Sequence, residues 1–91
     1  MTVSLTPRQV LALAGIRRML PTGEARRLRL RCGLSLAEVA TAVGASTGSV
    51  WRWERGERRP TGQRGVAYAE LISELAAQEQ RAAMASQKEL P

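Results

Sequence analysis

SLAEVATAVGASTGSVWRWER, residues 35–55, is the stretch that decides the fold. Ser35 is followed three residues later by Glu38. That spacing lets the serine oxygen accept a backbone N–H of the first helical turn while the glutamate reaches back to the serine amide. Leu36, Val39, Ala40 and Val43 then recur on one helical face. Gly44 stops this helix after two turns, where the chain needs a positive φ that glycine adopts without steric cost. Ser46 caps a second short helix, Thr47 to Arg55, with Val50 and Trp53 inward, and Gly56 ends it. Side-chain sizes make the pattern specific. Ala40 is small where the second helix must cross closely, Gly44 lies four residues on, and Val50 plugs the space between the helices. Val39, Val43 and Trp53 complete the wedge.

Two short helices joined by a glycine turn form the core of a helix-turn-helix. In that arrangement the second helix lies in the DNA major groove, with its first exposed residues on base edges. Here those positions are Thr47, Gly48, Trp51 and Arg52. Arg52 is suited to bidentate contact with guanine O6 and N7; a phosphate contact is the alternative. Thr47 offers a hydroxyl or a methyl, and Gly48 permits close approach of the backbone. Trp51 and Trp53 point about 200° apart on a helix, so both cannot be core. Trp51 is the exposed one, fit to pack on a thymine methyl or sugar, or else on a protein partner. Phosphate contacts are expected from Ser46, Arg55, Arg58, Arg59 and Arg64, which flank the second helix, and from Ser35 at the start of the first. The plain alternative for the arginines is a solvated face.

Working outward, Thr6 and Pro7 open a helix that runs from Arg8 to Leu20 and stops at Pro21. Val10, Leu13, Ala14 and Arg17 share one face, and Leu11, Ile16 and Leu20 widen the apolar surface beyond a single packing face. Thr22 caps a second helix from Gly23 to Cys32. Glu57 to Thr61 form a basic loop containing Pro60. A last helix runs from Gln63 to Ala83, with Val66, Tyr68, Leu71, Ile72 and Leu75 apolar. The reading is all-α with five helices, without strands or internal repeats. Residues 1–21 form an N-terminal helix suited to dimerisation, 22–83 the helix-turn-helix domain with its motif at 35–55, and 84–91 a frayed tail.

Composition agrees. In 91 residues the formal net charge is +6, and aromatic residues make up only 3%. Nine arginines against four glutamates lie between residues 22 and 64, whereas Arg81 and Lys88 face four glutamates after residue 65. A basic domain without a membrane-type amphipathic pattern points to nucleic acid before lipid. No segment reads as a secretion leader or a membrane span, so a cytoplasmic protein, nucleoid-associated when bound, is expected. With one cysteine and no histidine, no metal site and no cofactor are expected. Cys32 reads as a small core side chain. Catalysis has little to stand on: Glu70 and Glu74, spaced i, i+4, read as a solvated face, and the expectation is a protein that is not an enzyme.

The run RLRLRCGLSLAEVATAVGASTGSVWRWERGERRP resembles the phage-repressor helix-turn-helix family, Cro-like or xenobiotic-response-element type, over about residues 25 to 60. Gly33-Leu34-Ser35, Glu38 to Ala40, Gly44, Ser46, Val50 and Trp53-Glu54-Arg55-Gly56 before Pro60 carry the likeness. The resemblance implies a lambda-repressor-like domain used as a dimer on a near-palindromic operator. It also implies that Arg29 pairs with Glu54 and braces the second helix of the motif. Two features depart from the family. Leu36 stands where members commonly have a glutamine that contacts phosphate. An extra N-terminal helix and a long C-terminal helix also replace the usual pair of short helices after the loop. The function expected is a sequence-specific regulator of transcription, repressor-like, from a phage or prophage or a small chromosomal system, binding double-stranded DNA as a homodimer. The alternative is an antitoxin-type or phage protein whose main partner is another protein.

Overall fold

The computed structural model describes residues 4–88. Five α-helices follow one another: α1 (Pro7–Met19), α2 (Glu24–Arg31), α3 (Leu36–Val43), α4 (Thr47–Glu54) and α5 (Gly62–Lys88), with a 3-10 turn at Leu20–Thr22. Among the described residues there is no strand, and the all-α reading holds.

The motif forms from its caps. Ser35 Oγ accepts the Glu38 amide at 3.0 Å, and Glu38 Oε1 accepts the Ser35 amide at 2.9 Å. Gly44 takes φ +74, and its amide with that of Ala45 turns back to close the α3 carbonyls. Ser46 Oγ then accepts the Ser49 amide at 3.0 Å and starts α4. Val39, Ala40, Val43, Val50 and Trp53 are all buried, as the wedge requires.

α5 is the spine. Its Tyr68, Ala69, Ile72 and Leu75 meet Leu28 of α2, the α3–α4 wedge, and Ile16 and Leu20 from the N-terminal end in one core. The Trp53 and Tyr68 rings are 5.0 Å apart and tilted by 41°, within the range where edge and face attract. The Tyr68 hydroxyl is buried without a hydrogen-bond partner, and burial pushes its ionisation above the ordinary 10. Gly65 lets α5 approach the rest of the molecule: a Cβ there would lie 2.8 Å from the Pro60 carbonyl carbon and 3.1 Å from Leu13 Cδ2. Arg17 of α1 fixes the same corner, donating from Nε and Nη2 to the Pro60 carbonyl at 3.1 and 2.9 Å.

Three expectations need correction. Cys32 is exposed. Ala25, Leu28 and Arg29 form the buried face of α2, and position 32 would continue it had the helix gone on. It ends at Arg31, with Cys32 as its exposed C-cap. On α1 the buried residues are Leu13 and Ile16, while Val10 and Leu11 are 51% and 72% exposed and Ala14 is also outside. The helix is amphipathic about a different axis from the one its spacing suggested. Finally, α5 continues through residues 84–88, previously read as frayed. Ala, Met, Gln and Lys there are strong helix formers. The rest of that tail, 89–91, lies outside the described residues. Leu75 is the last buried residue of α5 up to residue 86, and the molecule measures 57 × 27 × 22 Å.

Candidate nucleic-acid interface

α4 has two sharply different faces. Val50, Trp53 and Glu54 are buried; Ser46, Thr47, Gly48, Trp51, Arg52 and Arg55 are exposed. At 100° per residue, Thr47, Gly48, Trp51, Arg52 and Arg55 occupy one continuous arc opposite Val50 and Trp53. The four positions expected to meet bases therefore share one surface. Trp51 is 43% exposed, a large apolar side chain kept out of the core. At Gly48 a Cβ would meet nothing closer than Ser46 Oγ at 4.0 Å, so the backbone there stands open.

The phosphate candidates sit around this arc in different states. Ser35 and Ser46 are both N-caps with their oxygens engaged, and Ser46 also donates to Ser49 Oγ at 2.9 Å. Arg55 donates to Glu57 Oε2 at 2.6 Å while its guanidinium lies 4.6 Å above the Trp51 ring. Both contacts are at the surface, where an ion pair contributes about 0–1 kcal/mol and yields readily. Arg58, Arg59 and Arg64 are exposed. With Ser49 and Trp53 they line a groove between α4 and the start of α5. The Pro60 carbonyl held by Arg17 anchors the loop that carries two of them.

Beneath α4 lies a buried ion pair. Arg29 Nε and Nη2 donate to the two carboxylate oxygens of Glu54 at 2.5 and 3.0 Å, and Arg29 Nη1 donates to the Leu34 carbonyl at 2.9 Å. The side chains are 8% and 3% exposed. The Glu54 hydrogen bonds hold the Arg29 guanidinium charged, raising it above the ordinary arginine value despite burial. One guanidinium thus joins α2, the loop before α3 and the end of α4. Removing one partner would leave a buried charge alone, which costs about 3–5 kcal/mol.

Sequence reasoning missed Arg26, Arg17 and Gly65. The helical wheel of α2 places Arg26 nearly opposite Leu28, outside the buried face, and only the fold brings it beside Trp51 and Arg55 of α4. Arg17 and Gly65 act through a loop far away in sequence and left no local signal. Among the described residues no cluster of three metal-binding side chains occurs, and no helix is long and apolar enough to cross a membrane.

The family model for a helix-turn-helix domain matches residues 23–84, from the start of α2 to near the end of α5. This chain belongs to that helix-turn-helix family, a class of DNA-binding proteins. α1 lies outside the match. No curated protein and no solved structure matches the chain.

Proposed function

We propose that this protein is a sequence-specific regulator of transcription, of the Cro-like repressor type, that sets residues 47–55 into the major groove. It is not an enzyme, takes no cofactor, and works in the cytoplasm on the nucleoid. One observation carries the reading: the exposed arc of Thr47, Gly48, Trp51 and Arg52 is ringed by arginines and backed by a rigid buried pair. Arg52 reads guanine, Trp51 packs on a thymine methyl or sugar, and Ser35, Ser46, Arg55, Arg58, Arg59 and Arg64 hold phosphates. Selection from random duplexes tests it: a defined half-site should emerge, bound more tightly than unselected DNA, with affinity falling steeply as salt rises. No enrichment, or a flat salt response, would refute it.

A homodimer completes the reading. The exposed Leu11 of α1 lines a mostly apolar groove between α1 and α5 with Ala12, Ile16, Met19, Ile72 and Ala76, which Glu70 and Glu74 also border. Exposed apolar surface of this kind marks an interface. Sedimentation of the wild type should give a dimer, and Leu11→Glu a monomer. A wild-type monomer at high concentration that co-purifies with a second protein would favour the antitoxin-type reading instead.

A further inference from the structure

Grooves lie on both flanks of α4. The first opens toward the loop and α5, lined by Ser49, Arg58, Arg59 and Arg64 among others. The second opens toward α2 and α3, where Arg26, Leu36, Trp51 and Arg55 surround the Arg29–Glu54 pair. The proposed function draws its loop arginines from the first flank and makes no use of Arg26.

Arg26 stands apart from its neighbours on α2. Arg27 bonds to Glu24, Arg29 to Glu54, and Arg31 to both Glu24 and Glu79. Arg26 is exposed, and no described residue forms a hydrogen bond or ion pair with its side chain. The carboxylate in its groove is that of Glu54, already neutralised by Arg29. Arg55 on its rim is tied to Glu57, so Arg26 is the arginine of this groove that no described carboxylate compensates.

A helix with its side chains is about 10–12 Å across and nearly fills a major groove about 12 Å wide. The walls of that groove are the phosphate backbones of the two strands, so side chains on opposite flanks of one helix meet opposite strands. We propose that Arg26 contacts a backbone phosphate of one strand while Arg58, Arg59 and Arg64 contact the other, clamping α4 from both walls. This rests on the DNA reading above.

Binding of wild type, Arg26→Ala, Arg58→Ala and Arg81→Ala to a short random duplex is followed across salt concentration. The selected half-site is used in parallel. The Arg26→Ala slope of log affinity against log salt should fall by about one unit, equally on both duplexes, with an unchanged melting temperature. Arg81→Ala should match the wild type. Uncharged methylphosphonate linkages, placed on one strand at a time, then assign the strands. The linkage whose neutralisation costs the wild type but not Arg26→Ala must lie on the strand opposite the one found for Arg58→Ala. An unchanged Arg26→Ala slope beside a steep wild-type slope, or assignment of both arginines to one strand, overturns the clamp alone. A flat wild-type slope overturns the DNA reading and the clamp with it.

Discussion

Most arginines of this protein fall into two sets that live by different rules. Four of the exposed ones meet glutamates: Arg27 and Arg31 with Glu24, Arg31 with Glu79, Arg81 with Glu74, and Arg55 with Glu57, while Arg8, Arg17 and Arg18 of α1 belong to neither set. Around α4 the exposed Arg26, Arg52, Arg58, Arg59 and Arg64 have no such partner among the described residues. Arg55, tied to Glu57, is the exception. Exposed ion pairs add little stability, so the main effect of the first set is neutralisation. The net charge of +6 is thus spent where helices pack together and conserved in effect where α4 faces outward. Bulk charge suggested nucleic acid; the placement of the glutamates says which surface.

The buried member of the paired set should give the largest effect. Arg29→Ala or Glu54→Ala alone should destabilise by about 3–5 kcal/mol in denaturant unfolding. The double change Arg29→Met with Glu54→Leu should recover most of that loss, because no charge is then left unpaired. If the double is as unstable as the singles, the pair is not the reason for their cost. Next, from the unpaired set, Arg52→Ala should lose about 1–3 kcal/mol of discrimination between the selected half-site and random duplex, measured by competition. Equal losses on both DNAs would make Arg52 a phosphate ligand. Arg31→Ala should leave stability little changed, because exposed ion pairs contribute little, and leave the salt slope of DNA binding where it was. A lowered slope would place Arg31 at the DNA and dissolve the division.

The smallest effect is in acid. Hydrogen bonds from Arg31 and then Arg27 hold Glu24 below the usual glutamate value of 4.5, and Arg31 does the same for Glu79. The Ser35 amide and hydroxyl lower Glu38. A carboxylate whose ionisation is depressed by folding contributes stability above its unfolded value and loses it as pH falls through the folded one. Unfolding curves should be flat for these groups above about pH 5 and slope downward below 4.5. Glu24→Gln should weaken that acid dependence.

Much of this was legible where the determinants are local. Ser35 with Glu38, Ala40, Gly44, Ser46 and Val50 specify caps, turn and close crossing within sixteen residues, so the motif could be read directly. Where determinants are distant, the sequence was silent. Nothing near Gly65 announces that the Pro60 backbone will press against it, and nothing near Arg17 announces the carbonyl it holds. α1 was misread because an apolar surface wider than one face leaves the packing axis undetermined, and only contact with α5 chooses Leu13 and Ile16 over Val10. Cys32 was placed in the core on its apolar surroundings alone, and the end of α2 leaves it exposed. Arg26 was exposed in the sequence pattern, but its place beside α4 depended on how α2 packs against the motif.

The Arg29–Glu54 pair has a consequence for descent. Because either side chain alone is worse than both or neither, these two positions, 25 apart in the chain, form one heritable unit. A lineage replacing the pair with apolar residues must cross an intermediate that barely folds, or change both codons together. The positions on the exposed arc of α4 carry no such coupling through the core. They can change singly, so on the DNA reading proposed above a descendant would acquire a new operator preference one base contact at a time while the scaffold beneath stays locked.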